Sequence, residues 1–553
     1  MNGRWLYFQL QYPRVRRLLA AAARGQAVQT EVWREKVRLA AESLFGREHR
    51  LGSIRSREDF RRQLPIADFE YYRPYVDQVR SGRHDALFGP KSPLLMFALT
   101  SGTTEKPKLI PVTSQFVASY KRGWKIWGLQ THADHRDLLT KDYLHLASDW
   151  QQSQTPAGTW CGNISGLAAE TRPAIVRRPF IVPPQVAKIR DWTHRQYAIL
   201  RLALPSRQLG MIITANPLTL IKLAELADQE KESLLRDLRD GTIRFPGGSE
   251  TTLDPLLQAR IKRVERSRVR ELEEVAERTG SFLPRDLWPQ LSVVAVWMGG
   301  PVAAFVPEVR RLYGPCAFRD HGLSASEGRM TIPMRDEANA GLLDFTSNYY
   351  EFIPVGEYGT EQPTVLEAHE LIEGESYYIL LTNSGGLFRY DIRDVVQCVG
   401  FEGQVPLLSF LHKGAHCANV AGEKLTEYQV ASAIHRSFEE LQRPLAPVML
   451  VPVMEQIPYY ALMVEPGTRP YAQELAAKLD AHLAELNCEY EDRLRTRRLL
   501  ATRVREVPAG SWDRVRERKI AIRGGSQEQY KHSFLGSAEE IERYLSSSAS
   551  GTL

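Results

Sequence analysis

The sequence predicts an α/β protein in two parts: a large N-terminal domain of layered sheets and helices (residues 1–410) and a small, mobile α+β C-terminal domain (residues 411–553). Three observations predict it. A chain of 553 residues is too long for one small core and divides into two or three domains. Between residues 141 and 300 short apolar runs alternate with helical patterns, as in Ala203–Thr214 before Asn216-Pro217-Leu218-Thr219 and Ser292–Met298 before Gly299-Gly300, which is the rhythm of α/β layering. From about Leu411 the texture changes. Lys413-Gly414 opens a hinge-like segment that Gly422-Glu423-Lys424 closes. Beyond it come a capped helix (Thr426–Phe438), a strand pair (Ala446–Met454 and Tyr459–Val464), a long helix (Tyr471–Cys488) and Val504-Arg505-Glu506-Val507.

Taken in order, residues 1–90 read as helical, with Val28–Phe45 the clearest amphipathic stretch and Ser53 or Ser56 placed to cap short helices. Leu94–Leu99 reads as a buried strand that breaks into Thr100-Ser101-Gly102-Thr103-Thr104-Glu105-Lys106-Pro107-Lys108. Such a loop can wrap phosphates: Gly102 lets the backbone approach an anion, amides and hydroxyls donate, and Lys106 or Lys108 supplies charge. It is not a Walker A loop, because no Gly-Lys-Ser/Thr follows at the required spacing, and a surface turn rich in Ser and Thr has the same composition. Thr113 or Ser114 caps the next helix, which carries Tyr120, Trp124 and Trp127 on one face. That face either packs in the core or lines a pocket. Trp160–Gly166 reads as a second glycine-containing turn. Arg260–Arg278 interleaves arginines with glutamates, as an exposed helix laced with ion pairs does.

Composition narrows the function. A net charge of +6 over this length is dilute and gives no reason to expect nucleic acid or an anionic membrane as partner. The longest apolar runs fall far short of the roughly 20 residues that span a bilayer, and the apolar run after Arg14, Arg16 and Arg17 is too short for a secretory signal. Five scattered cysteines without a CxxC pair suit a reducing, cytoplasmic setting.

Two further stretches look chemical. His321-Gly322-Leu323-Ser324-Ala325-Ser326-Glu327-Gly328 sets a carboxylate among small residues, where an enzyme can hold a divalent cation. Arg389-Tyr390-Asp391-Ile392-Arg393-Asp394 offers a carboxylate at a strand end that can grip ribose hydroxyls. Loop capping and ion pairing are the ordinary uses of such carboxylates. Gly524–Lys531 is a glycine loop delivering one lysine. Cys417, near His416 and Lys413, has the neighbours of an acyl-accepting thiolate, although lone cysteines usually serve as small buried hydrophobes. His412 with His416 lacks the further ligands a zinc site needs.

In this order the pieces resemble the adenylate-forming superfamily, most closely its acyl acid amido synthetase family, the plant auxin- and jasmonate-conjugating enzymes and their bacterial relatives. The resemblance spans nearly the whole chain. It implies that Thr100, Ser101, Gly102, Thr103 and Thr104, with Lys108, form the phosphate loop; that Ser326 and Glu327 form the second motif, with Glu327 serving Mg²⁺; and that Asp394 holds ribose. Lys424 and Lys531 match the small-domain lysines, Lys531 being the one that meets the α-phosphate and acyl carboxylate, and the Lys413 region matches the hinge. Leu323 stands where an aromatic residue near adenine is usual, which would weaken stacking or pass it to His321, and Arg393 stands where a glycine usually precedes the aspartate. The implied reaction is ATP-dependent adenylation of a carboxylic acid with release of pyrophosphate, then attack by an amine, an amino acid being the expected one, with release of AMP. The partners implied are small molecules. A coenzyme A or other thioester-forming ligase shares the first half-reaction, and a scaffold that binds nucleotide without turnover would retain the fold.

Overall fold

The computed structural model describes residues 3–100, 108–248, 251–414, 417–418, 420–421, 423, 425–523, 530, 532–537 and 540. The N-terminal region is helical, as its periodicity predicts. The amphipathic stretch forms the helix Gly25–Ala40 and then breaks, because Ser43 accepts from the Gly46 amide at 2.9 Å and starts the next helix, Leu44–Glu48. Ser56 caps Arg57–Gln63 in a reciprocal box with Asp59, whereas Ser53 lies inside a short 3₁₀ turn. Gln29 anchors the Gly25–Ala40 helix to the sheet behind it: its amide nitrogen donates to the carbonyls of Phe345 and Asn348 at 2.6 and 2.8 Å, and its oxygen accepts from the Tyr350 amide.

That sheet is antiparallel, seven-stranded and ordered Thr331–Ile332, Ala340–Leu343, Val405–Lys413, Tyr390–Glu402, Ser376–Thr382, Tyr349–Pro354, Leu366–Glu367. The Val405–Lys413 strand runs through residue 411, the expected start of the small domain. A second sheet pairs Leu94–Thr100 with Lys108–Thr113, so the expected phosphate loop joins two hydrogen-bonded strands. The third is parallel, Asp142–His145, Leu209–Ile213, Val293–Val296 and Ala317–Asp320. Leu209–Ile213 and Val293–Val296 are buried along their whole length, which is why they read as unbroken apolar runs. Trp160–Gly166 is not a glycine turn: Trp160–Gly162 is a strand beside Leu94–Thr100, and Ile164–Glu170 is a helix. The arginine-glutamate helix runs Arg266–Thr279 and carries surface ion pairs, but Arg268 is buried, giving hydrogen bonds to the Leu204 and Leu287 carbonyls.

In the C-terminal region Thr426 caps Glu427–Glu440 with Gln429 in a reciprocal box. Met449–Val453 pairs antiparallel with Tyr459–Val464, which pairs parallel with Leu500–Glu506. The long helix ends at Leu486, two residues early, because the Asn487 side chain accepts from the amides of Glu489 and Tyr490 and begins a separate helix, Cys488–Arg495. This region packs on the ends of the parallel sheet: Phe534 stacks on Phe305 at 5.8 Å, and the Asn216 amide donates to the Tyr530 carbonyl. No described helix is long and apolar enough to cross a membrane.

Candidate active site

The site forms between the Leu94–Thr100 and Lys108–Thr113 strand pair, the Ser324–Arg329 ribbon and the seven-stranded sheet. Ala325 pairs with Gly328 and Ser324 with Arg329, so Ser326 and Glu327 are the two turn residues of a tight ribbon. Gly328 takes φ +159 there. The Ser326 hydroxyl donates to the Leu99 carbonyl at 3.1 Å, tying this turn to the strand that enters the expected phosphate loop. Asn383 donates to the Glu327 carbonyl at 2.7 Å, and Tyr390 donates its hydroxyl to Glu327 Oε1 at 3.2 Å. Glu327 is 6 % exposed. Burial pushes its carboxyl above the ordinary range, against the pull of Lys413 and Lys108.

Asp394 stands opposite Lys413 on neighbouring antiparallel strands, and their side chains meet at 2.5 Å. Lys413 Nζ also donates to the Ile392 carbonyl at 3.2 Å. Although desolvation opposes it, the carboxylates of Asp394 and Glu327 hold the Lys413 ammonium above its ordinary value. Lys108 sits opposite Thr100, its ammonium 5.8 Å from the centre of the Phe69 ring, and desolvation lowers its pKa more than Glu327 and Asp68 raise it. The sheet register shifts between Ile379, facing Asp394, and Leu380, facing Asp391, so Ile392 and Arg393 bulge out. Arg393 takes φ +58 in this bulge, while its amide donates to Asp391 at 2.8 Å and its guanidinium reaches Asp68 at 2.9 Å. The structure thus places arginine in the left-handed conformation that glycine adopts freely. Asp394 lies within the Tyr390–Glu402 strand, not at its end, and is 2 % exposed. Just past Lys413, a Cβ on Gly414 would stand 2.3 Å from the Tyr378 ring, which only glycine avoids.

Glu327 therefore lies within electrostatic reach of Lys108, Lys413 and Asp394, with Ser326 bonded to Leu99 beside them. Thr100 ends its strand there. Ser101, Gly102, Thr103, Thr104, Lys424 and Lys531 lie outside the described residues, as do Lys106 and His416. Their neighbours are placed: Glu423 accepts from the amides of Val420 and Ala421 at 2.9 and 2.7 Å, and Tyr530 lies against Asn216. His321 packs edge-on against Trp124 at 5.0 Å and Trp127 at 6.2 Å. Tyr120 and Trp127 are buried and Trp124 is half-buried, so the aromatic stripe is mainly core with one edge at a wall shared with His321. Sequence reasoning missed Tyr390 and Asn383 as partners of Glu327 and gave Lys413 a hinge role and a place near Cys417, not a pairing with Asp394. Its pairing with Asp394 follows from strand register, which the local pattern does not encode.

Two buried carboxylates, Glu327 and Asp394, beside Lys413 and Lys108 and tied to the strand that enters the hydroxyl-rich stretch, suit a nucleotide with its cation. The class follows from the fold. The chain superimposes on an acyl acid amido synthetase, GH3.15, with a TM-score of 0.82 over 96 % of this chain and 94 % of the other at 17 % identity. It superimposes less closely, with a TM-score of 0.52 at 13 % identity over 95 % and 91 %, on a 2-hydroxyisobutyryl-CoA ligase in its postadenylation state. The fold is that of the adenylate-forming enzymes. Descriptions of the GH3 family N-terminal, central and C-terminal domains match residues 14–317, 341–413 and 428–540 in succession, and the chain belongs to the GH3 family. Among its relatives are the indole-3-acetic acid-amido synthetase GH3.3 of Arabidopsis thaliana, 21 % identical over 91 % of this chain and 88 % of its own length, and the jasmonoyl-L-amino acid synthetase JAR6 of Nicotiana attenuata, 21 % identical over 86 % and 84 %.

Proposed function

We propose that this chain is an ATP-dependent acyl acid amido synthetase, acting in the cytoplasm, that adenylates a small carboxylic acid and passes the acyl group to an amine, an amino acid by analogy with its relatives. The observation that carries the reading is the meeting of Glu327, Asp394, Lys413 and Lys108, brought together from three separate stretches, with Ser326 bonded to the strand that enters the hydroxyl loop. In this reading residues 1–410 bind ATP and the acid, and residues 411–553 supply Lys424 and Lys531.

Asp394, oriented by Lys413, accepts from the ribose hydroxyls. Thr100–Thr104 and Lys108 surround the phosphates, and Lys531 enters between the α-phosphate and the acid. Glu327 fits Mg²⁺: it is a hard oxygen donor, its Oε1 is steadied by Tyr390, and it forms no ion pair among the described residues. Mg²⁺ bound there would neutralise phosphate charge, in the usual manner of one carboxylate plus substrate oxygens. The acid's oxygen attacks the α-phosphorus, the bond to the bridging oxygen breaks and pyrophosphate leaves with its electron pair. The donors act by position and electrostatics. The small domain then turns about the Lys413 region, withdrawing Lys531 and admitting the amine, which attacks the acyl carbon and expels AMP.

The test is pyrophosphate release with ATP and Mg²⁺ across aromatic, indolic and fatty acids, with hydroxylamine to trap acyl adenylates, for the wild type and Lys531→Ala. Acid-dependent release with hydroxamate, lost in the variant, supports the reading. Nucleotide binding without release for any acid overturns it in favour of a scaffold.

A further inference from the structure

Arg329 follows the Glu327 turn by two residues yet belongs to a different cluster. Glu327 faces Tyr390, Lys413 and Lys108. Arg329 lies instead against the aromatic wall, its guanidinium carbon 4.4 Å from the centre of the Trp124 ring. It is 1 % exposed. Nη2 donates to the His321 carbonyl at 2.6 Å, while Nε and Nη1 have no partner. Asp344 and Asp320 attract the guanidinium through space, but neither accepts a hydrogen bond from Nε or Nη1. Asp320 is occupied by the amides of Met298 at 2.6 Å and Gly322 at 2.5 Å, and Asp344 Oδ2, across the gap left by Gly123, is itself unpartnered. His321 Nε2, beside the same tryptophan, has no partner either.

A buried guanidinium with no partner at Nε or Nη1 is costly, and stacking on an indole face recovers only part of that cost. The missing element is an acceptor within hydrogen-bond reach of Nε and Nη1, and an oxyanion is the acceptor a guanidinium binds most strongly. Trp124, half-buried, and Tyr120 form an apolar wall with such donors at one end, and the Glu327 turn stands only two residues before Arg329, so an acid seated along that wall would meet a charged group at either pole. Resting on the synthetase reading above, we propose that Arg329, with His321, binds a second oxyanion on the acyl acid, so that the substrate class is acids with an apolar or aromatic body carrying a further carboxylate or sulfonate away from the carboxylate that is activated. Arg329 is then the specificity-determining residue of the acyl site.

The test compares matched acids, 3-phenylpropanoate with 4-(2-carboxyethyl)benzoate and octanoate with octanedioate. Hydroxamate formation is measured by turnover and acid binding by calorimetry, in the wild type, Arg329→Leu and Arg329→Lys, with unfolding midpoints confirming that each variant folds. The wild type should favour the diacid by at least about tenfold in kcat/KM, as one charged hydrogen-bonding contact allows. Arg329→Leu should abolish or reverse the preference, and Arg329→Lys should keep part of it. Turnover of monoacids with the same preference in all three proteins overturns the oxyanion site and leaves the synthetase reading standing. Diacid binding lost in Arg329→Leu without turnover in any protein supports the oxyanion site and overturns the synthetase reading. Neither binding nor turnover overturns both.

Discussion

Replacing Lys413 by methionine keeps the length of the side chain and removes the charge that meets Asp394 at 2.5 Å. The gross attraction at that distance is about 7 kcal/mol at an effective dielectric of about 20. Desolvation removes most of it, and the Lys413 side chain is still 41 % exposed while Asp394 is 3 % exposed, so the loss should fall below the roughly 3–5 kcal/mol of a fully buried broken pair. About 1–3 kcal/mol is expected, because the variant leaves a buried carboxylate without its cation. Asp394→Asn alone should cost a similar amount. The double variant should cost clearly less than the sum, since neither charge then stands alone. Urea unfolding gives stability and titration with a fluorescent ATP analogue gives nucleotide affinity. A coupling of about 1 kcal/mol or more is predicted in stability, and Asp394→Asn should weaken nucleotide binding about tenfold or more if Asp394 holds ribose. Additive stability losses would refute the pairing argument, and unaltered affinity in Asp394→Asn would refute the ribose assignment.

Three shorter predictions follow from the same geometry. Glu327→Gln keeps the Tyr390 hydrogen bond but removes the cation-binding charge; acid-dependent pyrophosphate release should fall about 10²-fold or more, with raised Mg²⁺ partly restoring it, and full activity would remove Glu327 from metal binding. Arg393→Gly relieves a left-handed arginine worth about 1 kcal/mol, offset by lost backbone restriction in the unfolded chain and an exposed ion pair with Asp68; the unfolding midpoint should rise slightly, whereas Arg393→Val should lower it, and the reverse order would refute the bulge conformation. His132, whose ring nitrogens engage the Gly128 carbonyl and the Tyr143 hydroxyl, is pushed down to about 4, chiefly by burial. Its folded pKa is below its unfolded value, so stability is full above about pH 6.5 and falls as pH drops toward 4, by about 3 kcal/mol for this group at 1.36 kcal/mol per unit. Asp320 and Asp344, raised to about 6 by burial, act oppositely over part of that window. His132→Gln should flatten the slope of stability against pH, and an unchanged slope would refute the assignment.

What the sequence made legible is local. Apolar runs exposed the parallel strands because both faces of Leu209–Ile213 and Val293–Val296 are covered, and capping chemistry located Ser56 and Thr426. The glycine-bearing Trp160–Gly166 misled because strand and helix follow one another without a spacer, and Asn487 cut the long helix by capping its successor. Glu327 and Asp394 were visible as carboxylates among small or turn-forming residues. Their partners were not, because Lys413 meets Asp394 through strand register and Tyr390 reaches Glu327 from another sheet across 63 residues. Arg329 stood in the sequence as one more basic residue after a motif, and only its burial together with its unpartnered Nε and Nη1 distinguishes it.

Acyl transfer to an amine completes the reaction proposed for this chain. The most direct measurement is mass spectrometry of products from the wild type with ATP, Mg²⁺, an acid that supports pyrophosphate release and a mixture of amino acids, against a parallel reaction with coenzyme A. An acyl-amino acid amide formed in equal amount to AMP is predicted, and an acyl thioester with no amide would contradict the account.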